Sequence, residues 1–219
     1  MPRYIIFLML FISFAACRPD ILPPKPQGYF RIDTPAEHRY VVFNEPGFPY
    51  TFEYPEYAVI RRDTVYQKEN GYDAEKRYWI NIDFPELGAV INLTYKAITP
   101  QQPLTKLVED AYGLSFLHHK ISPNIEPHEF NTGYSSGVLY VLEGNTASKY
   151  QFLATDSGRN FVHGALYFEA TPNADSLQPA NDFLHKDILQ LLYTLRWRQA
   201  GNTTTDPAKA QIAVKRKEE

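Results

Sequence analysis

The sequence runs to 219 residues with 22 basic and 25 acidic side chains, a net charge of −3. A slightly acidic chain lacks the basic face that nucleic acid demands, which excludes nucleic acid as its partner. A single cysteine cannot close an internal disulfide, so the 16 Tyr and 14 Phe must supply a core held by packing alone.

The amino end reads as a targeting segment. Met1-Pro2-Arg3 carries positive charge, and Tyr4 to Ala16 then runs thirteen residues without a charge. A membrane-spanning helix needs roughly 20 apolar residues, so this run has the length of a signal-peptide core instead. Ala15-Ala16 supplies the small residues that precede cleavage. Phe14-Ala15-Ala16-Cys17 resembles the bacterial lipobox, although Phe14 stands where an aliphatic residue is usual. In that motif the cysteine thiol is diacylated and becomes the new amino terminus. A thiolate is the nucleophile such chemistry needs, and two or three acyl chains hold a membrane where one does not. Residues 1–16 are therefore expected to be a cleaved signal peptide and Cys17 a lipid anchor.

Residues 17–27 read as a tether. Pro19, Pro23, Pro24 and Pro26 favour an extended polyproline-type chain at roughly 3.1 Å per residue, enough to hold a folded body about 30 Å from a bilayer. No acidic run follows Cys17, which favours the periplasmic face over the cell surface. Residues 28–198 have the length of one globular domain. With Arg3 removed, 21 basic side chains face 25 acidic ones. The stretch 199–219 is polar and reads as a disordered tail.

Within the domain, Tyr50–Tyr54 and Ala58–Ile60 look like short strands flanking Pro55. Arg77–Phe84 alternates, with Tyr78, Ile80, Ile82 and Phe84 on one face. After Pro85-Glu86-Leu87-Gly88 the alternation resumes through Ala89, Ile91, Leu93 and Tyr95, the signature of a hairpin. Thr99-Pro100 reads as a helix start with Thr99 as N-cap, followed by Leu104, Leu107, Val108 and Ala111 at helical spacing. Strand-like runs follow at Val138–Leu142, Lys149–Ala154 and Phe161–Phe168, separated by Gly/Asn/Asp turns. Pro172 to Pro179 reads as a loop, and Phe183 to Trp197 as a second helix.

Short turns force antiparallel neighbours, and strands apolar on both faces imply a sheet covered on both sides. The expected fold is α+β: a largely antiparallel sheet with helices packed on its faces, an α/β/α-type sandwich. An arrangement like that of the photosystem PsbP-like proteins fits this element order.

Three constellations invite a chemical reading. Gly133-Tyr134-Ser135-Ser136-Gly137 is a literal G-x-S-x-G, with Asp156 and His163 in the chain order of a hydrolase triad. That motif needs a helix after the serine, but Val138–Leu142 is strand-like, so it reads equally as a Gly/Ser loop entering a strand. His118, His119 and His128, with Glu126 and Glu129, have metal-ligating chemistry, but adjacent helical residues do not face one ion. No metal or cofactor is expected. Trp79 falls on the strand face opposite Ile80 and Ile82, where it lines a groove or packs under a helix.

Pro24-Lys25-Pro26-Gln27-Gly28-Tyr29-Phe30-Arg31-Ile32-Asp33 resembles the start of the mature gliding motility lipoprotein GldD of the Bacteroidetes. So do Tyr50–Pro55, Trp79–Pro85, Gly144-Asn145-Thr146-Ala147-Ser148, Gln151–Ser157 and Gly164–Phe168, and the resemblance spans roughly residues 24 to 197. It implies a membrane-anchored, non-catalytic component of the gliding machinery, tied to type IX secretion and partnered by other proteins of that machinery. The family offers no catalytic signature, and only Cys17 carries over as a functional residue. Asp63-Thr64-Val65 and Asp175-Ser176-Leu177 look like the O-glycosylation pattern of that phylum, which marks Thr64 and Ser176. The competing readings are a periplasmic lipoprotein binding saccharide or cell-wall material through an aromatic groove, and a hydrolase built on Ser135.

Overall fold

A computed structural model describes residues 37–62, 76–116 and 122–198. The expected signal peptide, Cys17, the expected tether, Thr64, His118, His119 and the stretch 199–219 lie outside the described residues. The chain divides between Phe30 and Arg31 into two units, and every described residue belongs to the second.

The sheet grows from the hairpin that the alternation predicts. Strand β4 (Ile80–Phe84) pairs antiparallel with β5 (Ala89–Ala97), Ile82 opposite Ile91. Side chains alternate along a strand, so Ala89, Ile91, Leu93 and Tyr95 are buried on one face while Val90, Asn92 and Thr94 are half-buried on the other. Between the two strands Pro85–Leu87 forms a single 3-10 turn, closed by Gly88 at φ 55°, ψ 39°. That left-handed conformation is the one glycine adopts without a Cβ penalty.

β3 (Val59–Arg62) flanks β4, and β9 (Asn160–Phe168) flanks β5. β8 (Tyr150–Thr155), β7 (Ser136–Leu142) and β6 (Ile125–Asn131) complete a seven-stranded antiparallel sheet in the order β3-β4-β5-β9-β8-β7-β6. Every residue of β8 is buried, as the two-sided apolar pattern requires. Gly164 lies opposite Phe152, and a Cβ there would sit 2.1 Å from Phe152 Cζ. The glycine makes room for the ring.

Helix α1 (Leu104–Phe116) covers one face, with Leu107 and Ala111 packed against Tyr140, Leu142, Leu153 and Phe161. The other face carries the larger core. Helix α2 (Ala174–Thr194) buries Ala180, Leu184, Ile188 and Leu191, the three-to-four-residue spacing that keeps side chains on one face. Beside it lies a three-stranded sheet of β1 (Tyr40–Phe43), β2 (Tyr50–Pro55) and β10 (Arg196–Trp197), in the order β1-β2-β10. Phe43 stacks on Phe52 at 5.0 Å and meets Phe48 edge-on at 5.1 Å, so the aromatic surplus is spent here. The fold is α+β, sheet-dominated, with helices on both faces of the main sheet.

Several expected boundaries shift. Lys76–Tyr78 form a 3-10 turn, so the strand expected from Arg77 starts only at Ile80. α2, expected to run to Trp197, ends at Thr194, and Arg196–Trp197 pair with β2 instead. Thr99 Oγ1 does accept from the Gln102 amide at 3.1 Å, but the turn closes on itself and α1 starts only at Leu104. Pro103 is the cause, because a proline disfavours helical geometry in the residue before it. The stretch 172–179 is not a loop: α2 starts at Ala174 and takes Pro179 inside it. Pro179 leaves the Asp175 carbonyl without its helical donor, and both residues are exposed, where an unpaired carbonyl costs little.

Candidate functional site

The serine of the G-x-S-x-G stretch sits in the turn of the β6–β7 hairpin. Asn131 Oδ1 accepts from the Gly133 amide at 2.9 Å, and Thr132 and Ser135 close the loop with an amide-to-carbonyl bond of 3.0 Å. A strand follows the serine, so there is no nucleophile elbow and no helix amide to stabilise an oxyanion. Ser135 Oγ is buried without a hydrogen-bond partner.

Asp156 is committed to its own loop. Its Oδ1 accepts from the amides of Gly158, Arg159 and Asn160, at 3.0, 2.8 and 2.9 Å, and its Oδ2 from Asn160 Nδ2 at 2.6 Å. Burial alone would push this carboxyl up; the hydrogen bonds from Arg159, Asn160 and Gly158 outweigh it and hold the group below the usual carboxylate value.

His163 lies opposite Leu153, and Leu153 opposite Val138, so the histidine is two strands away from β7. Ser135 is three residues further along the chain, which adds roughly 10 Å along the strand to about 10 Å across it. His163 Nε2 is buried without a partner, and burial pushes the imidazole down to about 4. Ser135, Asp156 and His163 form no triad.

The other sequence candidates also resolve into structure. His128 is exposed on the edge strand β6, with Nε2 3.7 Å from Glu126 Oε1, while Glu129 points to the opposite sheet face. Trp79 packs against the main core and donates from Nε1 to the Tyr95 carbonyl at 2.9 Å, so it does not line a groove. Ser176 stands in the first turn of α2, half-buried, with its hydroxyl donating to the Asn173 carbonyl at 3.2 Å.

Two features were not anticipated. The first is a buried carboxylate hub. Asp187 on α2 is 2 % exposed and accepts from His38 Nδ1 at 2.7 Å, Tyr40 Oη at 2.9 Å and Tyr57 Oη. The His38 ring stacks on Phe183, one turn earlier in α2, at 4.3 Å. Burial first, and then the hydrogen bond to Asp187 and its charge, push both phenols well above their ordinary value. Both tyrosines therefore remain donors at any physiological pH. Three donors from the segment around β1 and the β2–β3 turn thus converge on one helix residue 130 to 149 positions away. The hub binds the small sheet to α2. The sequence held a signal for it: Asp187 interrupts the apolar stripe between Leu184 and Ile188, where an unpaired acid would not be buried.

The second is a cleft of about 200 Å³ between the Gly144–Lys149 loop and the start of α2. Asn145 Oδ1 reaches across to accept from the Ala174 amide at 2.8 Å, and Asn173, the N-cap, accepts from the Ser176 amide at 3.1 Å. Leu142, Phe168 and Leu177 give the cleft an apolar wall, and Thr146, Lys149 and Asn181 add polar groups.

These features meet a family assignment. The family model of the gliding motility lipoprotein GldD matches residues 20–197. The chain belongs to the GldD family. The Gly144–Ser148 stretch, which carried part of the resemblance, forms one wall of the cleft and caps α2. No curated protein matches the chain significantly. Among solved structures, the solution structure of cyanobacterial PsbP (CyanoP) from Synechocystis sp. PCC 6803 is similar, with a TM-score of 0.42 and 12 % identity, covering 79 % of this chain and 99 % of that one.

Proposed function

We propose that the protein is a lipoprotein held to a membrane through acylated Cys17, faces the periplasm, and serves as a non-catalytic component of the gliding motility and type IX secretion machinery. The observation that carries this reading is the match to the gliding motility lipoprotein family over residues 20–197. Membership gives an envelope lipoprotein of gliding motility; the link to secretion and the orientation are our reading. Among the described residues no helix is long and apolar enough to cross a membrane, in keeping with attachment by acyl chains. The non-catalytic part is supported by the fate of the G-x-S-x-G stretch, whose would-be partners are built into turns and the sheet. Glycans at Thr64 and Ser176 belong to the same proposal, and glycopeptide mass spectrometry of the exported protein tests both. A sugar at Ser176 Oγ would displace its bond to the Asn173 carbonyl.

The test is a clean deletion scored for colony spreading and for protein released to the medium, complemented by the native gene or by Cys17→Ala. Loss of both phenotypes, restored by the native gene and not by Cys17→Ala, is the expected result. Unchanged spreading and secretion in the deletion would refute it.

A further inference from the structure

We propose that the end of the domain at which β3 and β5 finish and β9 begins docks on the anionic phospholipid headgroups of a bilayer. This rests on the reading of Cys17 as an acyl anchor, which keeps a bilayer within reach. The sheet sorts charge by end. β3 closes on Arg62, opposite Ile80 at the start of β4, and Lys76 and Arg77 stand in the 3-10 turn just before Ile80. Near the end of β5, Lys96 lies opposite Phe161, and the Ile98 amide donates to the carbonyl of Arg159 in the turn before β9. Arg196 and Arg198 flank Trp197 at the same end, since Trp197 pairs with Tyr50 and the Tyr50 hydroxyl donates to the Tyr78 carbonyl.

The acids in the described loops of this end are Glu45, ion-paired to Arg62, and Asp156, whose oxygens are held by its own turn. The sequence between Arg62 and Lys76, outside the described residues, adds four acids and one lysine, which reduces the basic surplus without reversing it. The turns of the opposite end carry Glu56, Glu86, Glu143 and Glu169. A net charge of −3 conceals this division.

Aromatic rings back the cations. The Arg62 guanidinium lies 5.4 Å from the Phe48 ring centroid, that of Arg77 4.6 Å from Tyr78, and Lys76 Nζ 5.6 Å from Trp79. A guanidinium stacked by its face keeps N–H donors at its edge, the fork that matches a phosphate. Both tryptophans of the chain, Trp79 and Trp197, stand half-buried here, and Trp and Tyr settle at membrane–water interfaces. The cations do not converge on one pocket. From β3 to β9 is three strand spacings, about 14 Å, and the second sheet adds about 10 Å. That spread suits many headgroups and not a single phosphate, and each cation near an anionic surface adds to the attraction. About 20 residues separate Cys17 from Glu37, and an extended chain of that length covers about 60 Å. The longest strands, of 9 residues, run about 30 Å, so the anchor permits either end to meet the bilayer and charge decides which.

Quenching of tryptophan fluorescence by headgroup-spin-labelled phosphatidylcholine tests this on the full-length acylated lipoprotein in vesicles. Mass spectrometry of the preparation first reads the acyl chains, so failure of the anchor reading is seen on its own; protein lacking them is added to the vesicles from outside and the same quenching is read. Quenching is expected with phosphatidylglycerol in the vesicles, and its loss in phosphatidylcholine alone or at high salt. Arg77→Glu and Arg159→Glu, both at exposed positions, should each lower the docked-to-undocked ratio at least about fivefold. Arg39→Glu makes the same charge change at the opposite end, beside the β2–β3 turn, and should leave the ratio unchanged. Equal quenching with and without phosphatidylglycerol, none in either, or equal losses from Arg39→Glu and Arg77→Glu would each overturn the proposal. So would salt-sensitive oligomers in micelles without quenching in vesicles, which would assign the basic end to the acidic end of a second copy.

Discussion

Replacing Asp187 by Ala isolates the contribution of the buried hub. The substitution removes the acceptor that His38, Tyr40 and Tyr57 share, at a site 2 % exposed. A hydrogen bond to a charged partner contributes about 1.5–3 kcal/mol, and the three are not additive because they share two oxygens. Removing one partner from a buried ionic network costs about 3–5 kcal/mol, since the remaining groups stay desolvated and unpaired. His38 keeps 19 % of its side chain in water and recovers part of its loss there. The expected destabilisation is therefore about 3–4 kcal/mol, or a fall in Tm of about 6–16 °C for a domain of this size.

Urea unfolding followed by the fluorescence of Trp79 and Trp197, both half-buried, measures it. Tyr57→Phe alone is expected to cost about 1.5–3 kcal/mol, and much less once Asp187 is already Ala, because the phenol then has no acceptor to lose. A loss below about 1 kcal/mol for Asp187→Ala would refute the argument, and so would strict additivity in the double variant.

Acid should weaken the fold through His163. Its folded value of about 4 lies below the unfolded value near 6.5, so the unfolded chain binds the extra proton first. Stability should fall as pH drops from about 6.5 to 4, by at most about 3 kcal/mol, and His163→Gln should flatten that part of the urea-midpoint profile; an unchanged slope would show that the imidazole is solvated. Ser135→Ala removes a buried hydroxyl that has no partner, so stability should hold or rise by up to about 1 kcal/mol, and the variant should restore spreading to a deletion strain as well as the native gene does. Failure of that rescue would revive Ser135 as a nucleophile. Gly164→Ala should cost about 1–3 kcal/mol because its Cβ would meet Phe152 Cζ at 2.1 Å, and Phe152→Leu in the same chain should return part of the loss; an unaffected Tm in Gly164→Ala would contradict the close packing.

The hairpin of β4 and β5 was legible because burial follows polarity along most of it: Ile80, Ile82, Ile91 and Leu93 go in, while Asn81, Asn92 and Thr94 stay half-exposed, and the exception, buried Asp83, accepts from Arg61. β6 was not legible, for the same physical reason. As an edge strand it is nearly all exposed, and Glu126, Pro127 and Glu129 blunt the open edge while erasing any period-two pattern. β1 and β10 are too short, at 4 and 2 residues, to show a period at all. The prolines misled at both helices. Pro103 moved the start of α1 later than Thr99 suggested, whereas Pro172 and Pro179 hid the start of α2, which Asn173 announces as an N-cap. The hub joins positions 130 to 149 apart, and the only local trace of it is an acid in an apolar stripe.

The residues that carry the family resemblance turn out to be positional more than chemical. Gly144 takes φ 82°, Asn145 crosses to hold the Ala174 amide, and Thr146 and Ser148 donate to the backbone carbonyls of Ser148 and Tyr150. Asp156 likewise spends both oxygens on its own turn, and Gly164 yields to Phe152. Each fixes an element: the β7–β8 loop, the β8–β9 turn, the start of α2 and the spacing between neighbouring strands. A fold whose distinctive polar residues are spent on holding α2 against two sheets has its recognition capacity in what that rigidity presents. On the described surface this is the cleft wall at one end of α2 and, at the other, exposed Tyr193 beside Arg196, whose guanidinium lies 4.0 Å over the exposed Tyr134 ring. The hub at Asp187 lies between them on the same helix, so loosening it should disturb both ends. If Asp187→Ala protein is exported and lipidated yet fails to restore spreading, the rigid presentation of α2 is part of the function; full rescue by a measurably destabilised variant would place the function elsewhere on the chain.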